Sequence, residues 1–375
     1  MVRQERWAPM HIAIILPRWV GDLVMSTPMI RAVRQHFGNE AKLTAVMKPL
    51  FQEVLAGTEW FDEFIAYDRH SKNHEATFQG AASALRSDRP DIALLVPNSL
   101  SSAALAWLGG CRRRVGFARH GRRFLLTDPL FPNRRGWQVE TMSTAQHSMD
   151  LAVQIGVPRQ SLNLELVTLP KDEQRMDTLM SNFFHGWAQS DSQPLFVFND
   201  NSAYGPSRSW GSEKFCSLAR ELLQSYPTGR IIVHCGPGER DDARSLESSL
   251  NDPRVRSLAD VDTLPFGLSK ALLRRASVVI TTDSGPRHIA AAFGTPTVVL
   301  HGPMDPRLGM SDHENLIELR QDLPCSPCGR RICPLKHHDC MVELSVHEVA
   351  RATSELLAMI SETDEPHPLN LENVE

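Results

Sequence analysis

Residues 277–305 restrict the fold of this chain more than any other stretch, because they combine the signals of a strand, a loop, a helix and a second strand. A β-branched run, Val278–Thr282, is typical of a buried parallel strand. Pro286 suits the first turn of a helix, and Gly294 ends that helix. A second apolar run, Thr297–Leu300, follows. The stretch therefore predicts a parallel βαβ unit.

The loop before this helix has the composition of a phosphate-binding helix end. Ser284, Gly285, Arg287 and His288 surround the helix N-terminus. Free backbone N–H groups, the positive end of the helix and cationic side chains would meet there. An ordinary βαβ unit with a polar loop is the alternative, because Ser and Gly are common at helix starts.

The same alternation of strand and helix recurs along the chain and predicts a doubly wound α/β fold. Apolar spacing over 23–37 predicts a helix. Because Pro28 fits only in the first turns of a helix, the helix is expected to start near Ser26 or Thr27. Further helices are predicted over 101–108, 212–226 and 346–360, and further strands over 11–16, 42–47, 90–96, 195–198 and 230–235.

A length of 375 residues suggests two domains. We predict an N-terminal tail over 1–10, a first Rossmann-like domain over 11–170, a linker region with a helix over 171–194, a second Rossmann-like domain over 195–361 and a disordered acidic tail over 362–375.

Composition narrows the functional classes. The net charge of −4 gives no reason to expect a nucleic-acid partner. No apolar run approaches the roughly 20 residues of a membrane span, and the N-terminus lacks the apolar core of a signal peptide. Seven cysteines do not suggest a secreted disulfide scaffold, so a cytoplasmic protein is expected. No Walker A or GxGxxG motif supports a kinase or a dinucleotide oxidoreductase.

Residues 112–123 form the strongest charge cluster of the chain. A solvated surface would explain it. The apolar turn Val115–Phe117 inside it would hold the arginines in place, and guanidinium groups pair with phosphate and carboxylate, so an anionic acceptor is the other interpretation. The candidate acceptor-binding residues are Arg112, Arg113, Arg114, Arg119, Arg122 and Arg123.

Asp22 follows Gly21 where the first strand hands over to its helix. A carboxylate there is either a helix-terminal charge or a functional group, and position alone does not decide.

The segment CSPCGRRICPLKHHDC places four thiols and two imidazoles within residues 325–340. Cys325, Cys328, Cys333 and Cys340 are of the right type for a structural zinc site, and reduced thiols in a tight loop are the alternative. A zinc deaminase is excluded because the chain has no H-x-E motif.

Several blocks resemble the heptosyltransferases that build the lipopolysaccharide inner core, glycosyltransferase family 9. DSGPRHIAAAFGTPTVVLHGPMDP is similar to their donor-binding signature, and LPRWVGDLVMSTPMIRAVR and RRVGFARHGRRFLLTDPL are similar to two segments of their first domain. The cysteine-rich loop resembles one found in a branch of the family. The resemblance extends from about His11 to Ala350.

This resemblance implies a GT-B fold, in which two Rossmann-like domains face a central cleft. It implies that Asp22 is the catalytic base, because the acceptor hydroxyl must lose a proton as it attacks. Cations and helix ends would hold the diphosphate, with no metal required for catalysis. The donor-binding residues that it implies are Arg208, Glu239, Asp283, Ser284, Gly285 and His288.

The chain departs from the family pattern in two places. Arg208 stands where the family has a lysine, and residues 199–201 read Asn-Asp-Asn where the family has a small Pro-Gly-Ala stretch. Asp200 would be unfavourable beside a phosphate unless it points away. The spacing of Glu239, the implied ribose ligand, is off by about one position, so a surface carboxylate remains an alternative.

The resemblance implies an inverting transferase that moves heptose from ADP-heptose to a lipid A-core acceptor. The cysteine loop favours the branch that adds the second heptose. Such an enzyme would work at the inner face of the inner membrane, through peripheral contact. The alternatives are a related transferase with another donor or acceptor, and a non-catalytic nucleotide-sugar-binding protein.

Overall fold

The computed structural model describes residues 10–186, 193–200 and 204–363. Its strands, in chain order, are β1 His11–Ile15, β2 Lys42–Met47, β3 Glu63–Ala66, β4 Ile92–Leu95, β5 Arg113–Phe117, β6 Asp128–Leu130, β7 Arg134–Arg135, β8 Gln138–Val139, β9 Leu195–Asn199, β10 Arg230–Val233, β11 Val255–Ser257, β12 Val278–Thr282, β13 Thr297–His301 and β14 Leu316–Arg320.

The helices are α1 Val20–Met25, α2 Thr27–Phe37, α3 Gln52–Leu55, α4 Phe78–Asp88, α5 Leu100–Leu108, α6 Thr144–Val153, α7 Pro170–Phe183, α8 Ser212–Ser225, α9 Arg240–Leu250, α10 Phe266–Arg275, α11 Gly285–Ala292, α12 Asp339–Val342 and α13 Val346–Thr363. No helix among the described residues is both long and apolar enough to cross a bilayer.

Two parallel sheets organise the molecule, and they have the same strand order. The first runs β3-β2-β1-β4-β5-β6 and the second β11-β10-β9-β12-β13-β14. In each sheet the order reverses between the first strand and its later neighbour, at β1/β4 and at β9/β12. A crevice opens at such a switch point, beyond the carboxyl ends of the strands. The predicted α/β class, with two doubly wound domains, is confirmed.

The βαβ unit predicted over residues 277–305 is present. Every residue of β12 is buried, as expected for a strand covered on both faces. It pairs with β13 in parallel, with Val279 opposite Thr297. The helix α11 between them begins one residue before Pro286, as the proline predicted.

The helix expected over 23–37 is divided into α1 and α2 near the predicted position. Pro28 has no N–H with which to continue the hydrogen-bond ladder. The Thr27 hydroxyl donates to the Val24 carbonyl at 2.7 Å, and the Ser26 hydroxyl donates to the Asp22 carbonyl at 2.8 Å. The break limits α1 to Val20–Met25, and four of its six residues line the cavity described below.

The prediction of a turn over Val115–Phe117 was wrong, because these residues belong to β5, which pairs with β4 and β6. The neighbouring strands supply the partners that the β5 backbone needs. Of the tails, residues 1–9 and 364–375 lie outside the described part of the chain, and α13 continues to Thr363, beyond the predicted end of the second domain.

Helix α10 connects the second sheet's layer both to the segment between the sheets and to the first half. The helix predicted in the linker, α7, packs against α10, where Glu173 pairs with Arg275 at 2.6 Å. On α10, the fully buried ammonium group of Lys270 donates to three carbonyls, at 3.2 Å to Val54, 2.9 Å to Ala56 and 2.7 Å to Val167. Lys270 thereby ties the second sheet's layer to the first half and to the connecting segment.

Candidate active site

A cavity of about 510 Å³ lies in the cleft between the two sheets. The first half lines it with the β1–α1 connection, α1 and the start of α6. The second half lines it with α10 and with the loops that follow β9, β10, β12 and β13. Both sheets therefore present their carboxyl ends and switch points to the same space, which is the position of ligand sites in this class of fold.

The N-terminal ends of α1 and α11 meet across this cavity. A Cβ atom on Gly21 would lie 2.8 Å from Cδ2 of His288, closer than real contacts allow. A Cβ atom on Gly285 would lie 3.6 Å from Cβ of Val20, in ordinary contact. The absence of a side chain at Gly21 thus permits the close approach of the two helices.

Asp22 lies on the first-half wall of the cavity, in the first turn of α1. Its Oδ1 accepts a hydrogen bond from the Thr144 hydroxyl at 3.2 Å. Burial raises the pKa of the Asp22 carboxyl above 3.8, although Thr144 and Arg208 act in the opposite direction. A carboxylate with a raised pKa is a stronger base than one in water.

Opposite Asp22, the first turn of α11 has backbone N–H groups that no side chain in the described part of the chain caps. The N-cap residue, Ser284, makes no side-chain cap bond within the described residues. Its hydroxyl instead accepts from Nδ2 of Asn199 at 2.9 Å. The first N–H groups of a helix have no intrahelical partner, so this end of α11 is suited to an anion.

A buried polar network fixes the wall behind Ser284. Oδ1 of Asn199 lies 3.1 Å from Nδ1 of His234, whose Nε2 lies 3.0 Å from the Ser269 hydroxyl. Burial lowers the pKa of His234 to about 4, so the ring is neutral at physiological pH. The network holds the ends of β9, β10 and β12 in one arrangement.

Two arginines enclose Asp283 beside the α11 N-terminus. Arg287 donates to its Oδ1 at 2.9 Å, and Arg208 lies 3.5 Å from its Oδ2. Burial acts to raise the pKa of Asp283, but Arg287 and Arg208 outweigh it and the pKa lies below 3.8. His288, also on this wall, has its pKa held well below 6.5 by burial and by Arg287, so it adds no charge.

Arg208 has unused hydrogen-bonding capacity. Its guanidinium group lies 4.5 Å from the ring centre of Tyr204 and donates to the Asp283 carbonyl. Among the described residues its buried Nε has no hydrogen-bond partner. A buried donor without a partner is costly, and an anion in the cavity would supply one.

Asp200, whose carboxylate would be unfavourable beside a phosphate unless it pointed away, is not among the described residues that line the cavity. Asp200 accepts from the Trp210 N–H at 2.6 Å, the Ser209 hydroxyl at 2.8 Å and the Gly211 N–H at 3.2 Å. Glu239 does line the cavity, where its Oε2 accepts from the Gly236 N–H at 2.7 Å and burial raises its pKa. Asn201 lies outside the described residues.

The predicted arginine cluster does not form one surface, because β5 divides it. Arg112, Arg113 and Arg114 stand at the amino end of β5, away from the cleft. Arg113 pairs with Asp128 at 2.8 Å, and Arg114 donates to the Leu125 carbonyl at 2.7 Å. Arg119, Arg122 and Arg123 follow the carboxyl end of the strand. A strand of this length separates the two groups by about 15 Å.

Arg122 is a structural residue in this arrangement. It is fully buried, and burial lowers its pKa to about 10. Its guanidinium group donates to the Phe117 carbonyl at 2.9 Å, to Oδ1 of Asn98 at 2.9 Å and to the Ser102 hydroxyl at 3.0 Å. Arg122 therefore braces the ends of β4 and β5 and is not exposed to a ligand.

The cysteine-rich loop, residues 325–340, braces the segment that carries Arg208. All four thiols are free and line a small cavity of about 20 Å³, and burial raises the pKa of the Cys340 thiol to about 11. In the described part of the chain no three Cys, His, Asp or Glu side chains are arranged to hold a metal ion. Ser207 donates to the Arg330 carbonyl at 2.6 Å, and the Tyr204 hydroxyl donates to the Gly329 carbonyl at 2.5 Å.

Sequence reasoning missed Thr144 and His234. A capping box at the start of α6, formed by Ser143 and Gln146, was a readable signal for a helix start next to Thr144. Nothing local distinguished His234 from other histidines that end a strand.

Comparisons with known proteins agree with this geometry. Residues 81–338 match the family model described as glycosyltransferase family 9 (heptosyltransferase). Lipopolysaccharide heptosyltransferase 2 of Escherichia coli K12 is 26% identical over 303 residues, which cover 79% of this chain and 84% of that protein. Lipooligosaccharide heptosyltransferase 2 of Campylobacter jejuni is 23% identical, with 92% and 99% covered.

Solved structures show the same fold. The E. coli ADP-heptose LPS heptosyltransferase II has a TM-score of 0.74 at 20% identity, covering 94% of this chain and 100% of that one. A family 9 glycosyl transferase from Veillonella parvula has a TM-score of 0.79 at 21% identity, covering 94% and 99%. The predicted GT-B architecture is confirmed.

The structural role of Arg122 can be tested by comparing two arginines of the predicted cluster. Arg122→Met should lower the free energy of unfolding by about 3–5 kcal/mol, because it leaves buried acceptors without donors. Arg112→Met, at a side chain that is 82% exposed, should change it by less than about 0.5 kcal/mol. Urea denaturation measures both, and equal effects would contradict the assignment.

Proposed function

The chain belongs to glycosyltransferase family 9, and we propose that it transfers heptose from ADP-heptose to a lipopolysaccharide inner-core acceptor with inversion at the anomeric carbon. The observation that carries this proposal is the arrangement of the cleft. A carboxylate with a raised pKa, Asp22, faces an uncapped helix N-terminus and a cation with an unused donor, Arg208, across one cavity.

The second-half wall is suited to the diphosphate of the donor. The N–H groups of α11 and the guanidinium group of Arg208 would bind the phosphate oxygens, and their positive charge would stabilise the leaving ADP. The donor-binding residues in this proposal are Arg208, Glu239, Asp283, Ser284, Gly285 and His288. Asp283 acts through Arg208 and Arg287, whose positions it holds.

The first-half wall is suited to the base. Asp22 would take the proton of the acceptor hydroxyl as that oxygen forms its bond to the anomeric carbon. The bond from that carbon to the phosphate oxygen breaks at the same time, and ADP leaves with the electron pair. Because attack and departure occur on opposite faces of the sugar, base and diphosphate site must stand on opposite walls, as Asp22 and α11 do.

Thr144 holds the Asp22 carboxylate in this proposal. Its hydroxyl donates to Oδ1, which leaves Oδ2 free of that bond to receive the acceptor proton.

Within the predicted arginine cluster, Arg119 is the candidate for an anionic acceptor in the cleft. It lies close enough to His147 to help lower the pKa of that imidazole to about 4, after burial and Arg122. His147 stacks on Phe117 at the carboxyl end of β5, with ring centres 4.2 Å apart. Arg119 is therefore on the cleft side of the sheet, unlike Arg112.

Relatives named heptosyltransferase 2 favour addition of the second heptose. An acceptor anchored in lipid would place the enzyme at the cytoplasmic face of the inner membrane.

A related transferase with another donor is the second candidate, motivated by Asn199, Asp200 and Arg208 at positions where the family differs. Incubation with a panel of nucleotide sugars, with transfer followed by mass spectrometry, separates the two. Absence of transfer from every donor would favour a non-catalytic binding protein.

Asp22→Asn tests the base. We expect kcat to fall about 10²-fold or more, because the variant keeps the shape but loses the proton acceptor. In the wild type, kcat should fall as the pH is lowered through the raised pKa of Asp22, and this acidic limb should disappear in the variant. Steady-state kinetics across pH measures both effects.

The matched control is Glu213→Gln, which neutralises an exposed acid in the first turn of α8. It should leave kcat unchanged, and each variant should change the free energy of unfolding by no more than about 1 kcal/mol. If Asp22→Asn keeps a near wild-type kcat, the Asp22 carboxylate only stabilises the positive N-terminal end of α1 and is not the base.

Arg208→Met tests the diphosphate site. Removing a cation from the leaving group should lower kcat about 10²- to 10³-fold and weaken ADP binding in calorimetry. Arg208→Lys should recover most of the loss, because a lysine supplies the same charge. The exposed Arg220→Met, on α8, is the control. Unchanged ADP affinity in Arg208→Met would place the diphosphate elsewhere.

A structural zinc in the cysteine-rich loop is a separate proposal, with no role in the transfer step. Thiolates of Cys325, Cys328, Cys333 and Cys340 are ligands that zinc prefers, and these four residues would hold the ion. Elemental analysis should find about one metal per chain, which Cys328→Ser should remove together with part of the thermal stability. Metal-free protein of full stability would leave the thiols as packing groups.

A further inference from the structure

One surface of the first half has a charge opposite to that of the whole chain. Residues 118–139 contain five arginines and a single carboxylate, in a protein whose net charge is −4. The carboxylate, Asp128, is already paired with Arg113. Among the described residues, Arg123, Arg134 and Arg135 have no ion-pair partner. This segment therefore presents uncompensated positive charge to solvent.

Large aromatic side chains are exposed in the same segment. Trp137 is 94% exposed, Phe124 is 76% exposed and Phe131 is 62% exposed. The Arg123 guanidinium group lies 5.7 Å from the ring centre of Phe131, so cation and aromatic share one surface. We call Arg123, Phe124, Phe131, Arg134, Arg135 and Trp137 the arginine–aromatic surface.

The backbone holds Trp137 outward. It occupies a two-residue turn with Gly136, between the antiparallel strands β7 and β8. Gly136 has a φ of 64°, a value that favours glycine. Because β7 is Arg134–Arg135, the tip of this hairpin joins an exposed indole to two arginines. The indole of Trp137 buries almost no apolar area against the rest of the protein. An exposed aromatic side chain of this size lowers solubility unless a partner covers it.

We propose that the arginine–aromatic surface docks the protein onto an anionic lipid bilayer. Arginines are attracted to anionic headgroups, and tryptophan and phenylalanine side chains partition into the boundary between headgroups and acyl chains. We favour a bilayer over a nucleic acid because the indole of Trp137 stands at the tip of a hairpin, where it can enter the boundary between headgroups and acyl chains.

The position of the surface relates it to the cleft. The hairpin follows the carboxyl end of β6, which is parallel to β1, so it leaves the sheet at the edge where Asp22 lies. A bilayer in contact with it would adjoin the wall proposed to receive the acceptor. This inference rests on the proposed function, in which the acceptor is a membrane lipid.

The chain provides matched controls at the opposite edge of the same sheet. Trp107, 54% exposed, is near the end of α5, which starts beyond the carboxyl end of β4 and returns to the amino end of β5. Arg112, also exposed, lies just before β5. Trp107→Ser and Arg112→Glu thus change the same residue types on a surface that faces away from the proposed bilayer.

Cosedimentation of the full chain with vesicles is the test. The wild type should bind vesicles of phosphatidylglycerol and phosphatidylethanolamine, should bind phosphatidylcholine vesicles at least tenfold more weakly, and should lose binding as salt is raised. Trp137→Ser and the double variant Arg134→Glu/Arg135→Glu should each weaken binding at least tenfold. Trp107→Ser and Arg112→Glu should leave it unchanged. Calorimetry with ADP verifies that each variant is folded.

Three results would overturn the proposal: no binding by the wild type, equal binding by hairpin and control variants, or loss of a dimer in sedimentation experiments on the hairpin variants, which would assign the surface to a second copy of the chain. Vesicle binding needs no substrate, so its failure is distinct from failure of the proposed reaction. A water-soluble, deacylated acceptor tests the reaction alone, and the hairpin variants should use it at the wild-type rate.

Discussion

The close approach of α1 and α11 is the contact on which the cleft depends. Gly21 has no side chain, and the neutral ring of His288 occupies the space that one would fill. Both helices start at the switch point of their own sheet. Their contact therefore sets the separation between Asp22 and the N–H groups of α11, and a larger residue at Gly21 would widen it.

The charged groups of the cavity would accommodate the negatively charged donor of the proposed function. The Asp283 carboxylate accepts a hydrogen bond from Arg287 and lies beside Arg208. Its lowered pKa keeps this carboxylate ionised. The two histidines in the wall, His234 and His288, are neutral because they are buried. Arg208 thus retains the N–H donor that a diphosphate would use. Asp22 forms no ion pair with any described residue, and its carboxylate keeps its raised pKa.

The sequence was most informative where a local rule applied. The βαβ unit around Pro286, the break near Pro28 and both doubly wound halves followed from periodicity, proline and glycine. Contacts between distant residues could not be predicted in this way. The hydrogen bond from Asn199 to Ser284 spans 85 positions, and the direction of the Asp200 side chain depends on the Trp210 N–H, ten residues further along the chain. The division of the arginine cluster by β5 and the burial of Arg122 could not be predicted, because a count of charges reveals neither.

The ammonium group of Lys270 fastens three segments of the chain to one another. It is carried by α10, and its three carbonyl partners belong to the end of α3 and to the segment before α7. Because three acceptors share the ammonium group, it tolerates small changes in the direction of each hydrogen bond. It cannot lose all three partners, since a buried charge without hydrogen bonds is very costly. Loss of the Lys270 charge would therefore leave three carbonyls without their donor at once, and α10 would no longer be joined through this group to α3 and to the segment before α7.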